Sequence, residues 1–393
     1  MKKLISILGS TGSIGLSTLR IIDIKKKLFK PYIFSANKNY SEICKQIKLY
    51  KPSFFLIGNE IIYKKIKKKF TKCRTKIINN FVEIKTQKKS DITISAIPGI
   101  DGLKPTIFLI RLSKKILIAN KESIICGWHL IKNEIKKNNT KLIPIDSEHF
   151  SIMKLLQEHK LEEINKIYIT ASGGPFLNYK PSKLKFVKPA KALKHPKWKM
   201  GKKISIDSAT LMNKILELIE AQRLFNIPKE KLDIIIHPNS LVHAIIDLKN
   251  GLKKFIYHET TMIIPIANAI FDKNLEIKKI IKGRANHEMI KNLTFKKVDR
   301  KIFPIIKLVN QINKYEGTPI IVNAANEVLV DHFLRKKIPF LGIQKIIFNI
   351  LKDKNYKKYA IRKPINLNII NNLNNWAKNI TSNKIKYFYA KNN

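Results

Sequence analysis

At 393 residues the chain is longer than one ordinary core accommodates, so two or three domains are expected. Hydrophobic residues make up 44%, enough for globular cores, and no apolar run approaches the roughly 20 residues of a membrane span, which excludes a membrane partner. The formal charge of +49 comes from 77 basic against 28 acidic residues spread through nearly every segment without interleaved aromatics; it reads as codon bias of an AT-rich genome, with no specific nucleic-acid partner.

The start, M-K-K-L-I-S-I-L, has two lysines and an apolar patch, but Gly9 and Ser10 end the patch too early for a secretion signal. It reads as the buried first strand of a cytoplasmic protein. Cys44, Cys73 and Cys126 are odd in number and widely spaced, which predicts neither a disulfide framework nor a zinc site. Short apolar runs at 4–8, 32–35, 54–57, 92–96, 116–119 and 142–145 alternate with amphipathic stretches at 13–24, 40–49, 60–70 and 122–136. This alternation predicts an α/β fold over residues 1–146, a Rossmann-like, doubly wound parallel sheet with helices on both faces. Residues 147–271 read as an α+β domain with strands at 167–170, 234–237 and 244–248 and a helix at 211–225. Within it, a lysine-rich stretch of little periodicity near 192–202 reads as a mobile lid. Residues 272–297 read as a connector, and 298–393 as a small C-terminal helical bundle with helices near 304–315, 324–335, 343–352 and 365–380. The Asn-rich run 366–375 keeps helical apolar spacing and is expected to be structured.

G-S-T-G-S-I-G, with Gly9, Gly12 and Gly15, follows the first strand and opens the first helix. Glycines there let the backbone turn tightly and approach a pyrophosphate, whose charge is drawn to free N–H groups at the helix start. The spacing is less specific than G-x-G-x-x-G, and an ordinary turn is the alternative; the position between strand and helix favours a nucleotide loop. After the second strand, S-A-N-K-N (Ser35 to Asn39) has no carboxylate for the ribose of NAD, while Lys38 is available for a 2′-phosphate, which favours NADPH.

Carboxylates and small anion-binding side chains gather between Asp146 and Glu217. Asp146 and Glu148 are two apart, so in an extended segment both project to one face at the end of a strand. Glu217 follows Asn213 by four and Lys214 by three, so the three share a helix face. Oxygen ligands without paired His or Cys suit Mg2+ or Mn2+, with Co2+ also compatible, and not zinc. Solvated surface acids are the alternative, and spacing alone does not exclude Glu220. The turn at Ser172, Gly173 and Gly174 can offer a hydroxyl and N–H groups to an anion, and Ser208, Asn213 and Lys214 would add hydrogen bonds and charge for a phosphate. In H-P-K-W-K-M-G (His195 to Gly201), Trp198 either covers a ligand or packs in a core. His149, His237 and His243, taken singly, read as structural.

Together, G-S-T-G-S-I-G, A-N-K-E-S (Ala119 to Ser123), D-S-E-H (Asp146 to His149), S-G-G-P-F, H-P-x-W-x-M-G, I-D-S-A-T-x-M-N-K, H-P-N-S-L-V-H (His237 to His243) and N-A-A-N-E (Asn323 to Glu327) closely resemble the motifs of the 1-deoxy-D-xylulose 5-phosphate reductoisomerases. The resemblance spans essentially the whole chain. It implies an enzyme of the non-mevalonate isoprenoid pathway with an NADPH-binding domain, a catalytic and dimer-forming domain with a lid, and a helical C-terminal domain. It implies a homodimer acting on a small phosphorylated sugar. The skeleton would rearrange by retro-aldol cleavage and re-addition to a branched aldehyde phosphate, which NADPH reduces to 2-C-methyl-D-erythritol 4-phosphate. By matching position, Asp146, Glu148 and Glu217 would hold the metal. Lys121, Ser147, Glu148 and Glu217 would face the substrate, and Ser172, Ser208, Asn213 and Lys214 its phosphate, with His195 closing from the lid. Lys121, Glu148, His195 and His243 are the implied catalytic group, His243 in support. Thr11, Gly12, Ser13, Ile14, Asn37, Lys38, Asn39, Asn120, Glu122 and Gly201 would contact NADPH.

The chain departs from the pattern at Asn37 and Ile215, where the family usually has glycine, and at Thr260 to Ala267, which lacks the aspartate and arginine that normally flank Met262. None of these removes a proposed catalytic side chain. Two rival readings are another NADPH-dependent oxidoreductase of a phosphorylated substrate, and a basic binding protein on a decayed enzyme scaffold. Retention of Lys121, Asp146, Glu148 and Glu217 argues against the second.

Overall fold

The computed structural model describes residues 2–198, 200–271 and 293–389. They fall into two compact units. The first holds residues 2–123, 128–150 and 261–271. Its strands are β1 (Lys3–Leu8), β2 (Phe29–Ala36), β3 (Phe54–Ile57), β4 (Lys76–Ile78), β5 (Ser90–Ser95), β6 (Ser113–Ile118) and β7 (Lys141–Pro144). They form one sheet in the order β4-β3-β2-β1-β5-β6-β7, with every pair parallel. Isoleucine-rich strands suit this arrangement, because helices cover both faces of a parallel sheet. Ile5, Ile7, Phe34, Ile94 and Ile116 are fully buried. The chain reverses its winding between β1 and β5, so a crevice opens beyond their carboxyl ends.

Helices Ser13–Ile24, Tyr40–Tyr50 and Glu60–Lys69 cross between strands as expected. Asn39 and Asn59 cap the latter two by accepting from the N–H groups of Glu42 and Ile62. The cluster Lys67 to Lys69 ends a helix, where cations offset the exposed carbonyl dipoles.

The second unit holds residues 124–127, 151–260 and 293–389. Strands β8 (Ile164–Ala171), β9 (Leu232–Ile236), β10 (Val242–Leu248) and β11 (Lys253–Tyr257) form a sheet ordered β11-β10-β8-β9. Only β8 and β9 run parallel in it. The helices Thr318–Leu334, Phe340–Leu351 and Leu367–Tyr389 belong to this same unit, where Phe340 packs edge-on against Phe176 at 5.1 Å. The Asn-rich run lies in the last helix, with Asn366 capping it through the Ile369 N–H.

Residues 124–127 group with the second unit and 147–150 with the first, and two larger differences from the expected bounds accompany them. Helix Ile263–Phe271 belongs to the first unit, not to a 147–271 domain: Lys115 Nζ donates to the Ala269 carbonyl at 2.8 Å, and Phe271 packs edge-on against Phe29 at 5.6 Å. The C-terminal helices share a unit with the four-stranded sheet instead of standing apart, since Phe333 and Phe340 need the apolar cover that Phe176 shares. The expected connector at 272–297 lies, up to residue 292, outside the described residues. Among the described residues no helix is long and apolar enough to cross a membrane.

Candidate active site

In the first unit the predicted residues collect at the carboxyl ends of β1, β2, β6 and β7. The loop after β1 turns at Gly9, whose φ is +76° and where a Cβ would stand 2.7 Å from the Ala96 carbonyl oxygen at the end of β5. At Gly15 a Cβ would lie 2.5 Å from the carbonyl oxygens of both Gly9 and Ser10. Larger side chains would therefore fill the crevice at the switch point. The loop is tied to β2, with Ser10 N donating to the Ser35 carbonyl at 2.8 Å and Gly9 N to Ser35 Oγ at 3.1 Å. Helix Ser13–Ile24 starts with no side-chain cap and no acid in its first turn, leaving its N–H groups and positive dipole end to an anion. Gly12 and Ser13 are exposed, as are Asn37, Lys38 and Asn39 beyond β2.

Asn120, after β6, is buried and has a demanding structural duty. Its Oδ1 caps helix Lys121–Asn138 at the Ser123 N–H, while its Nδ2 donates to the carbonyls of Ile97 and Gly99. Lys121 thereby sits at a fixed helix start, with Nζ 3.2 Å from Asp146 Oδ2 and the two side chains only 10% and 17% exposed.

The segment after Asp146 is not extended, contrary to expectation. Ser147–Leu156 is a helix with Asp146 at its cap: the Asp146 carbonyl accepts from Phe150 N at 2.8 Å and its Oδ1 from Glu148 N at 3.3 Å. A carboxylate just ahead of free N–H groups stabilises a helical start over a strand. Capping, and not alternation, sets Asp146 beside Glu148. Ser147 Oγ donates to Glu148, and fully buried His149 places Nδ1 3.2 Å from Asp146 Oδ1.

In the second unit the turn after β8 uses Gly173 at φ +79° and Gly174 at φ +61°. Gly174 N donates to Ser172 Oγ at 3.1 Å, and a Cβ on Gly174 would stand 3.0 Å from the Ser208 carbonyl oxygen, which keeps the two segments close. His195 Nε2 lies 2.9 Å from Ser172 Oγ. His195 Nδ1 accepts from Trp198 N at 2.9 Å and Lys197 N at 3.2 Å, so it carries a lone pair and Nε2 carries the proton. Burial, reinforced by the charge of Lys214, lowers the His195 pKa to about 4 and keeps the ring neutral near pH 7. Ser172 Oγ thus accepts from His195 and Gly174, which leaves its own hydrogen to donate.

Buried Leu211, at φ +69°, joins helix Lys202–Thr210 to helix Met212–Phe225. A branched residue in the left-handed region carries about 1–2 kcal/mol of strain. The tight joint sets Ser208 near the start of the second helix, with Leu211 N donating to the Ser208 carbonyl at 3.2 Å and Lys214 N to the Leu211 carbonyl at 3.1 Å. Asn213 and Lys214 reach Glu217 on one face, Lys214 Nζ at 2.7 Å from Oε2. Glu217 and Glu220 are equally buried at 1% exposure, and Glu217 is bonded to Asn213 and Lys214. Gly201 begins helix Lys202–Thr210, with open space where a Cβ would stand.

Asp207, Asn326 and His258, which the sequence reading left without a role, are tied to this group. Asp207 is held by Lys203 at 2.9 Å and by Asn326 at 2.7 Å, tying the N-A-A-N-E motif to the phosphate-binding candidates. His243 stacks on His258 at 3.9 Å, and the Trp198 indole meets His243 edge-on at 6.2 Å. The available signal for His258 was a histidine 15 residues past His243, across a hairpin.

A glycine loop at the switch point of a parallel sheet, with carboxylates and a lysine along the same carboxyl edge, defines an α/β oxidoreductase of the dinucleotide-binding class. Family models described as 1-deoxy-D-xylulose 5-phosphate reductoisomerase, its C-terminal domain and the DXP reductoisomerase C-terminal domain match residues 5–127, 142–225 and 259–380 respectively. The chain is 44% identical to the 1-deoxy-D-xylulose 5-phosphate reductoisomerase of Pelagibacter ubique over 385 residues, covering 96% of this chain and 98% of the relative. It is 40% identical to that of Wolbachia pipientis over 90% of this chain and 91% of the relative. Among solved structures it resembles the Zymomonas mobilis enzyme in complex with NADPH, at 31% identity and a TM-score of 0.88, covering 98% of this chain and 100% of that one. A DOX-P reductoisomerase complex with NADPH, fosmidomycin and magnesium matches at 30% identity and a TM-score of 0.90, covering 98% of each chain. The chain belongs to the 1-deoxy-D-xylulose 5-phosphate reductoisomerase family.

Proposed function

We propose that this protein catalyses the NADPH- and divalent-metal-dependent rearrangement and reduction of 1-deoxy-D-xylulose 5-phosphate to 2-C-methyl-D-erythritol 4-phosphate. The observation that carries the reading is full-length likeness to the family at 44% identity, supported by the presence of Lys121, Asp146, Glu148 and Glu217, the side chains the resemblance assigns to the chemistry. The residues fit both cofactors. Gly9 and Gly15 leave a cradle that side chains would fill, and the uncapped helix start suits a pyrophosphate. Asp146, Glu148 and Glu217 are a donor set of oxygens only, suited to Mg2+ or Mn2+, and in the described structure Lys121 and Lys214 lend Asp146 and Glu217 positive charge.

When bound, the metal would polarise the substrate carbonyl and hydroxyl oxygens, and NADPH would supply the hydride. The protein's own contribution is binding and proton placement. Ser172 donates its remaining hydrogen to a phosphate oxygen, held in that role by neutral His195 and Gly174. Ser208, Asn213 and Lys214 surround the same group. Lys121, fixed by the Asn120 cap, offers an ammonium to a substrate oxygen, and Glu148 moves a proton at the substrate hydroxyls. His195 and Trp198 belong to a lid over the phosphate end, which limits water at the reacting carbons.

We further assign a cytoplasmic homodimer. Three cysteines outside any disulfide support the first part, and an edge strand β11 bearing half-exposed Phe255 supports the second. The test is NADPH oxidation by purified protein with 1-deoxy-D-xylulose 5-phosphate, with and without Mg2+ or Mn2+. Metal-dependent turnover that disappears in Glu217→Gln establishes the reaction and the third ligand. NADPH binding without turnover would point to another phosphorylated substrate, and salt-sensitive nucleic-acid binding without turnover to a decayed scaffold.

A further inference from the structure

His243 occupies a β-bulge. On β10, Val242 pairs with Tyr257 and Ala244 with the adjacent Ile256 of β11, so His243 is an extra residue on its strand. Bulges re-aim side chains, and His258 closes this one. The His258 N–H donates to the Leu241 carbonyl at 2.9 Å, and the His258 carbonyl lies 3.3 Å from His243 Nε2. A carbonyl only accepts, so Nε2 of His243 carries a proton. The two imidazoles stack with centroids 3.9 Å apart and planes 17° from parallel. The His258 ring is itself locked, its Nδ1 donating to the Glu259 carbonyl at 2.8 Å. Its Nε2 is buried with no hydrogen-bond partner among the described residues, which fits a ring retained for its face and not for a polar contact. Burial also lowers the pKa of His258, favouring the neutral ring that stacks without repulsion. The indole of Trp198 meets His243 edge-on at 6.2 Å, and the Trp198 N–H is the donor that orients His195 toward Ser172.

We propose that His258 is a positioning residue: by closing the bulge and stacking on His243, it makes a rigid platform on which Trp198 seats, so that the lid brings His195 onto Ser172. This rests on the proposed reading of Ser172 and His195 as the phosphate end of the site. The backbone contacts survive substitution, so the side chain's part is the aromatic face.

The experiment compares His258→Leu, which fills the volume without an aromatic face, with His258→Phe, which keeps one, in the full-length protein. For His258→Leu, KM for 1-deoxy-D-xylulose 5-phosphate should rise about five- to tenfold, the scale of one lost aromatic contact, with NADPH affinity unchanged. His258→Phe should stay within about twofold of the parent. Nitrogen-15 spectra should show His195, which the Trp198 N–H orients, fixed as the Nε2–H form in the parent and in His258→Phe, and averaging between tautomers in His258→Leu. An unchanged KM and spectrum in His258→Leu would overturn the proposal, as would a phenylalanine variant as impaired as the leucine one. If the parent turns over no 1-deoxy-D-xylulose 5-phosphate, the functional reading falls, while the His195 spectra still decide the role of His258.

Discussion

Ser172→Ala is the sharpest probe of the phosphate end. In the parent, His195 Nε2–H and Gly174 N–H occupy both lone pairs of Ser172 Oγ, so its hydroxyl hydrogen has one direction left, toward an anion. Alanine removes that donor and leaves the two others without an acceptor. A hydrogen bond to a charged group contributes about 1.5–3 kcal/mol, and at about 1.4 kcal/mol per decade its loss is about 10- to 150-fold in binding. The lower end is expected, because His195 is half-buried and water can replace Oγ beside it. The assay is steady-state NADPH oxidation over a substrate range, run in parallel with 1-deoxy-D-xylulose lacking the phosphate. We expect KM for the phosphorylated compound to rise about tenfold or more and the poor rate with the unphosphorylated one to stay level. Equal losses for both compounds, or a KM that does not move, would refute the assignment of Ser172 to the phosphate.

Gly15→Ala places a methyl 2.5 Å from the Gly9 and Ser10 carbonyl oxygens; overpacking of about 1–3 kcal/mol should lower the unfolding midpoint and weaken NADPH binding, measured by cofactor fluorescence. Glu217→Gln should abolish metal-dependent turnover while NADPH still binds. Because it neutralises a carboxylate that is 1% exposed and paired to Lys214 at 2.7 Å, it should also reduce stability by up to about 3 kcal/mol in urea unfolding. The His195 pKa lies at about 4 in the folded protein against 6.5 when unperturbed, so between those values the unfolded chain binds more protons. The neutral ring is therefore fully accommodated above pH 6.5, and stability falls as pH drops from 6.5 toward 4. The full shift corresponds to about 3 kcal/mol, which solvent around a half-exposed ring reduces to about 1–1.5 kcal/mol. His195→Gln should lose less stability than the parent over that pH interval, measured as urea midpoints at pH 7 and pH 4.5.

What the sequence made legible were relations within one element. Helix Ser13–Ile24 and strand Phe54–Ile57 have the expected limits, because glycines or short apolar runs punctuate them sharply. The shared face of Asn213, Lys214 and Glu217 follows from spacing alone. Helix Lys202–Thr210 was not legible, since K-K-I-S-I-D-S-A-T alternates like a strand and is rich in poor helix formers. It is held as a helix by partners elsewhere, Asn326 on Asp207 above all. Strand Lys76–Ile78 is too short to leave a periodic signal, and the helix expected over 304–315 shrinks to a tight turn of helix at Pro304–Asn310.

The site shows the same division more sharply. Family resemblance points to Ser172, His195 and His243, but the use of each depends on groups that only the folded backbone brings beside it. Trp198 N–H decides which nitrogen of His195 holds the proton, and the His258 carbonyl decides it for His243. No side-chain pattern encodes either choice, because the first comes from how the lid segment turns and the second from the register of a hairpin. A one-residue slip that removed the bulge would leave all the named side chains in the sequence while returning His243 to ordinary alternation. The chemistry of this site is therefore specified by strand register as much as by residue identity.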